Sequence, residues 1–255
     1  MSSIDLNLDA GESAESFANG TEEALYRLVS SVNVACGGHA GDEPSMREAV
    51  RLARKNDLAI GAHPSYPDRP GFGRKRLEIS HGELVASLKS QIKALEAVAA
   101  SEGARLSHVK PHGALYNVAA SDEATAEAII EAVKSVDSTL IVVGLAGSRF
   151  LELCNAKGLR AESEAFVDRG YERDGSLRAR SKPDALIEDP AKAAARAIAL
   201  AKGEKIESVH GDLIQISATT LCMHGDTPNC LSTAHAVVAA LKAHGISISS
   251  LSRIR

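Results

Sequence analysis

The sequence predicts an α/β protein, a closed (β/α) barrel of about seven parallel strands. Three observations lead there. Short apolar runs alternate with helix-like stretches along the whole chain, the pattern of a parallel sheet with helical crossovers. Seven such β–α units fit 255 residues, since closed β/α barrels commonly run to about 250. Chemically active side chains also gather where the strands end, which is where parallel barrels build their sites. A single catalytic domain over 1–255 is expected, because no repeat, low-complexity tract or linker interrupts the alternation.

The elements follow in order. Ile4-Asp5-Leu6-Asn7-Leu8-Asp9 alternates strictly, so a strand there sets Asp5, Asn7 and Asp9 on one face. A helix is predicted over Thr21 to Ser31, then a strand over Val32 to Cys36 and a helix opened by Pro44. Leu58 to His63 is a third strand, followed by a long polar loop. Ser80 and Glu83 have capping-box spacing ahead of a long amphipathic helix that runs to about Gly103. His108 to His112 and Leu140 to Gly144 are the fourth and fifth strands, and a sixth ends near Phe166. Asp189-Pro190 opens an alanine-rich helix. Thr219 to His224 is the last strand, with a helix from about Asn229 to Gly245 after it.

Composition narrows the function. Lys and Arg number 29 against 33 Asp and Glu, Trp is absent, and aromatic residues make up 3%. A nucleic-acid binder normally carries a basic excess and stacking aromatics, so none is expected as a partner. No apolar run approaches the ~18 residues of a membrane span. The amino terminus lacks the basic and apolar regions of a signal peptide, so a cytoplasmic location is expected. Cys36, Cys154, Cys222 and Cys230 form no CxxC pair and read as reduced thiols. Neither GxGxxG nor GxxxxGK[ST] occurs, so the usual marks of dinucleotide and ATP binding are missing.

Six strand ends carry polar groups: Asp9 and Glu12; His39 and Asp42; His63 and Asp68; Lys110, His112 and Asn117; Glu164, Asp168 and Arg169; His224 and Asp226. The expected catalytic set is Asp9, His39, His63, Lys110, His112 and His224, since imidazole and carboxylate groups serve as acid, base or metal ligand near neutrality. Asn7, Glu12, Asn33, Asn117, Glu164, Asp168 and Arg169 are the expected substrate-binding residues. A lysine pointing into a barrel needs an anion, either a nearby carboxylate or one on the substrate. Asp42 and Asp226 precede Pro-containing helix starts, so capping and catalysis both remain open for them. Asp9, His39 and His63 are the candidate ligands for a divalent metal. The other histidines, His81, His108, His210, His235 and His244, read as surface or structural. Two long connections, 64–79 and 167–188, are lid candidates.

Several runs carry a family resemblance. These are Asp5-Leu6-Asn7-Leu8-Asp9-Ala10-Gly11-Glu12, Asn33 to Asp42, Gly61-Ala62-His63-Pro64-Ser65-Tyr66-Pro67-Asp68 with Gly71 to Arg74, Val109 to Asn117, Glu164 to Tyr171, and Cys222-Met223-His224-Gly225-Asp226-Thr227. In this order, and over nearly the whole chain, they resemble the LamB/YcsF family, the A subunits of prokaryotic ATP-dependent 5-oxoprolinase. The resemblance implies a distorted (β/α) barrel related to the glycoside hydrolase/deacetylase barrels. It also implies opening of the lactam 5-oxo-L-proline to L-glutamate, with ATP as co-substrate and subunits B and C as partners that handle the nucleotide. Gly38 stands where the family usually has an aromatic residue, so a wider pocket wall is expected there. Residues Ser13 to Gly20 differ from the usual Gly-rich segment.

Position and residue type suggest Asp9 or His63 as general base on water and His112 or His224 as the acid that protonates the leaving nitrogen. Lys110 and Arg169 would bind the substrate carboxylate or developing charge. Asn7, Asn33 and Asn117 would orient the ring. Two other functions compete: a metal-dependent deacetylase-like amide hydrolase on the same barrel, and a non-catalytic substrate-binding component. The first would show a paired-aspartate opening, which this chain lacks.

Overall fold

The computed structural model describes residues 3–227 and 229–253. In chain order the amino-terminal part contains β1 (Ser3–Ala10), α1 (Ala14–Ala18), α2 (Thr21–Tyr26), β2 (Ser31–Ala35), α3 (Glu43–Lys55), β3 (Ala59–His63) and α4 (His81–Ser101). Next come β4 (Leu106–Val109), α5 (Gly113–Ala119), α6 (Glu123–Val136), β5 (Ile141–Leu145), α7 (Arg149–Ala156) and β6 (Ala161–Phe166). The carboxyl-terminal part adds α8 (Pro190–Ala201), the short hairpin β7 (Ile206–Glu207) and β8 (Leu213–Ile214), β9 (Thr220–Met223), α9 (Cys230–Ala243) and β10 (Ser247–Ile248).

Strands β1 to β6 pair in sequence order, all parallel, and β9 joins β6 to β1, which closes a seven-stranded barrel. Alternation in β1 decides which side chains go where. Ile4, Leu6, Leu8 and Ala10 belong to the apolar core and are at most 3% exposed. Burial of each large apolar side chain contributes roughly 1.5–3 kcal/mol. Asp5, Asn7 and Asp9 therefore project into the barrel at successive levels, one pleat repeat of ~7 Å apart. Register carries that face around the sheet, since Asp9 pairs with Asn33, Asn33 with Gly61, Gly61 with His108 and His108 with Ile141.

The helices are fixed by the signals expected of them. Asp42 caps α3 in a reciprocal capping box with Ser45, which settles that carboxylate as a cap. Ser80 and Glu83 form the second capping box, and α4 buries Leu84, Leu88, Ile92 and Leu95 along one face. Asp189 caps α8, with Pro190 in the first turn.

Three expectations need correction. The helix predicted over Thr21 to Ser31 ends at Tyr26, because Ser31 is already paired with Asn7 in the barrel. The fourth strand ends at Val109, since Pro111 has no N–H to continue a ladder, and His112 instead stands at the N-cap of α5. Helices α1, α5, α6 and α7 are additional to the predicted elements. Three of them are short, at 5, 7 and 8 residues, and α6 is alanine-rich with apolar residues on a broad face.

Candidate active site

A cavity of about 1390 Å³ opens at the carboxyl ends of the strands. Its wall includes Asp9, Glu12, Lys110, His112, Arg169 and His224. These six come from the ends of four different strands, so the barrel itself sets their mutual positions.

Beneath the floor lies a layered polar network. At the lowest level the Asp5 carboxylate accepts hydrogen bonds from Ser30, Ser31 and Thr220. Burial pushes this carboxyl up to about 6, despite those bonds. One level up, Asn7 donates to Glu164 (2.9 Å) and Thr220 (2.7 Å) and accepts from Asn33 (2.8 Å). His108 Nε2 donates to Asn33 Oδ1 at 2.9 Å, which leaves the Asn33 amide to donate upward to Asp9 (3.0 Å). Gly61 makes this possible: a Cβ there would lie 2.1 Å from His108 Nε2.

Asn7, Asn33 and Glu164, expected to bind substrate, are instead paired within this network and do not line the cavity. They sit a level below its floor and support Asp9 and Lys110. His108, read from sequence as surface or structural, is a buried strut of the same network. Gly61 opposite a histidine is the signal available for it, though register is needed to see the pair.

At the floor, Lys110 is 2% exposed and its Nζ lies 2.9 Å from Asp9 Oδ1, 3.0 Å from Glu164 Oε1 and 3.1 Å from Cys222 Sγ. Burial would depress the ammonium, but Asp9, Cys222 and Glu164 outweigh it and hold the lysine well above its ordinary value. Of the two anion sources considered for Lys110, the neighbouring carboxylates take its charge. Asp9 in turn is held well below the usual carboxylate range; burial opposes this, and His63 and Lys110 overcome it.

Behind Asp9, the strand-end histidines converge. Glu12, His39, His63 and His112 bring one donor atom each within 4.8 Å of one another. His39 Nε2 is 2.8 Å from Glu12 Oε1, and His112 Nδ1 is 3.0 Å from His63 Nε2. The His39 and His112 rings stack at 3.6 Å, and Phe72 from the 64–79 loop packs edge-on against both. His39 and His63 are buried and do not reach the cavity, whereas Glu12 and His112 do. Asp9 stands beside this group, with Oδ2 3.3 Å from His63 Nε2. The expected ligand set is corrected accordingly: Glu12 and His112 complete the cluster with His39 and His63, and Asp9 is engaged with Lys110.

Just past the end of β9, the strand paired with β1, His224 Nδ1 donates to the Asp168 carboxylate at 2.9 Å, and Asp168 also accepts the His224 backbone N–H. His224 stacks on Phe166. Asp168 holds His224 and does not line the cavity, and that pairing fixes the tautomer with Nε2 as the open acceptor. Arg169 lines the cavity, but Nε and Nη2 are spent on the carbonyls of Ala185 and Arg178, where they brace the 167–188 loop. Asn117 is exposed on α5 at the wall and donates to Gly113 O. Asp226 bridges Arg74 (3.0 Å) and Arg180 (3.2 Å), tying the two long loops together, while Pro228 after it lies outside the described residues.

Gly38 does not widen the wall. A Cβ at that position would lie 2.3 Å from Gln91 Oε1 and 2.4 Å from Ser65 Oγ. Gln91 fills the space and bonds both the N–H and the carbonyl of Ser65. The segment from Ser13 to Gly20 forms α1 at the cavity rim.

Similarity to known proteins places this barrel. The sequence model of the LamB/YcsF family matches residues 4–255. The chain belongs to the LamB/YcsF family. Among relatives, it is 46% identical over 245 residues to the 5-oxoprolinase A subunit of Bordetella parapertussis, covering 96% of this chain and 97% of that protein. It is 47% identical over 248 residues to the protein of the same name from Chloroflexus aggregans, covering 97% and 98%. Among solved structures, the lactam utilization protein of Thermus thermophilus superposes with a TM-score of 0.90 at 44% identity, covering 98% of this chain and 100% of that one. A family 4 carbohydrate esterase from Streptomyces lividans matches with a TM-score of 0.51 at 11% identity, covering 98% and 93%, which is a likeness of fold. The deacetylase-like barrel expected for a LamB/YcsF protein is thus the observed one. No helix among the described residues is long and apolar enough to cross a membrane.

Proposed function

We propose that this chain is the ring-opening component of an ATP-dependent 5-oxoprolinase, converting 5-oxo-L-proline to L-glutamate together with subunits B and C. The observation that carries the reading is the meeting of the Asp9 carboxylate and the Asp168-held His224 on neighbouring strand ends at one cavity, in a chain 46% identical to a protein named as the A subunit of 5-oxoprolinase. Cys36, Cys154, Cys222 and Cys230 are free and buried, which supports a reducing, cytoplasmic setting.

A five-membered lactam is a stable amide, so water needs an activated carbonyl. Transfer of a phosphoryl group from ATP to the lactam oxygen supplies that activation, with ADP leaving. Water then adds to the ring carbon and gives its proton to Asp9, the carboxylate that faces the cavity. The carbon–nitrogen bond breaks as His224, after taking up a solvent proton at its open Nε2, delivers that proton to the nitrogen. The resulting acyl phosphate takes up a second water to give glutamate and phosphate.

Geometry narrows the two acid–base choices left open by residue type. His63 is shielded from the cavity, which favours Asp9 as base. His112 Nε2 is held by Phe72 O and its Nδ1 faces His63 and Glu12 rather than the cavity centre, which favours His224 as acid. The cavity exceeds the roughly 300–1,000 Å³ usual for one small ligand, leaving room for a phosphorylated substrate or a segment of a partner protein.

The test is glutamate release from 5-oxoproline and ATP by this chain mixed with its cognate B and C subunits, with a control that omits only this chain. Release that depends on the chain supports the reading. Equal release without it, from partners shown to be active, overturns it.

A further inference from the structure

We infer that Glu12, His39, His63 and His112 form a built site for one divalent transition-metal ion of the zinc class. Two hydrogen bonds leave no choice of tautomer. A carbonyl oxygen only accepts, so His63 Nδ1, 2.7 Å from Lys110 O, carries a proton. His112 Nε2, 3.0 Å from Phe72 O, carries one for the same reason. In the neutral rings the remaining nitrogens, His63 Nε2 and His112 Nδ1, are therefore both bare lone pairs. They face each other at 3.0 Å.

Carboxylate oxygens crowd the same point. Glu12 Oε1 lies 3.3 Å from His112 Nδ1 and 3.8 Å from His63 Nε2, and Asp9 Oδ2 is 3.3 Å from His63 Nε2. Such a convergence of acceptors in a buried place repels itself unless a cation occupies it. His39 Nδ1 has no hydrogen-bond partner among the described residues, so that ring too is not fixed as a donor pair.

The donor set names the class of ion. Three imidazoles and one carboxylate suit zinc and its neighbours rather than magnesium or calcium, which take all-oxygen shells. Bonds of ~2.0–2.1 Å in tetrahedral arrangement imply ligand–ligand edges of about 3.3 Å. The observed donor separations, from 2.8 Å for His39–Glu12 to at most 4.8 Å, bracket that value. Carbonyl bonds on the far nitrogens of His63 and His112 are the outer support that metal-binding histidines normally have. An ion held there would present Lewis acidity next to Asp9, on the cavity side that Glu12 and His112 line.

Binding is measured on the full-length chain alone, so the result stands apart from glutamate release. Chelator-treated protein is titrated with Zn²⁺ by calorimetry at pH 7, and with Co²⁺ by visible absorption. The expected result is one ion per chain, with Co²⁺ d–d bands of low-coordinate nitrogen and oxygen ligation. Glu12→Gln and His112→Asn, each checked for native circular dichroism, should weaken binding at least about tenfold, a conservative figure since even outer-shell losses cost 10–100-fold. His210→Ala, remote from the cluster, should leave binding unchanged. Absence of saturable binding would overturn the site, as would affinity equal to wild type in folded Glu12→Gln. Nitrogen-15 spectra showing a proton shared by His63 and His112 that excess Zn²⁺ does not displace would also overturn it.

Discussion

Asp168 contributes two hydrogen bonds to His224, one to the ring and one to the backbone. Asp168→Asn keeps the shape but no longer fixes the imidazole tautomer, so glutamate formation by the assembled enzyme should fall by about 10²–10⁴-fold, with the fold intact by circular dichroism. A loss of less than threefold would remove His224 from the proton path. A second residue-scale prediction concerns His108, whose imidazole is pushed down to about 3 by burial and the nearby Lys110 and His63. The unfolded chain protonates this group below about 6.5 while the folded protein resists until about 3. Its contribution is thus complete above pH 6.5 and is lost as pH falls, at ~1.36 kcal/mol per pH unit. Urea unfolding should show wild type losing about 2 kcal/mol more than His108→Gln between pH 6.5 and pH 5. Asp5 and Glu22, pushed up to about 6 and about 7 by burial, act in the opposite direction but equally in both proteins. Equal slopes would contradict the buried-neutral assignment. Residue types at the strand ends were legible in the sequence, because Asp9, Glu12, Lys110, His112 and His224 all reach the cavity wall. Their division of labour was not, since it depends on which partner each finds across the barrel.

At the scale of elements, β1 was legible because its alternation is strict, and α3, α4 and α8 because their caps are local. The depth of Asn7 and Asn33 was not, since it depends on where the cavity floor falls relative to strand register. The same holds for Gly38, which lies between β2 and α3 yet meets helix α4 through Gln91, far away in sequence. Adding a Cβ there forces Gln91 to give up bonds to the Ser65 backbone. Gly38→Ala should destabilise the fold by about 1–3 kcal/mol in chemical denaturation, and Gln91→Ala in the same chain should recover part of that loss, a coupling expected for residues in contact. Additive effects of the two substitutions would contradict this packing.

For the whole molecule, barrel closure through β1–β9 brings together ends that lie more than 200 residues apart in sequence, so no local signal could place His224 beside Asp9. The regular β–α alternation made the closed barrel legible even so. The 64–79 and 167–188 loops meet over the cavity through Arg74, Asp226 and Arg180, all partly exposed. Asp226→Ala should change global stability by no more than about 1 kcal/mol. It should nonetheless raise hydrogen exchange in both loops together, and faster exchange in only one would argue against a shared clasp. The central claim is that this barrel carries out ring opening rather than presenting 5-oxoproline to a partner. Its most direct test is glutamate formation by the complex reconstituted with Asp9→Asn, after assembly with B and C has been verified by size-exclusion chromatography. Ring opening by Asp9 requires a loss of about 10²-fold or more; a near wild-type rate in the assembled variant would contradict it.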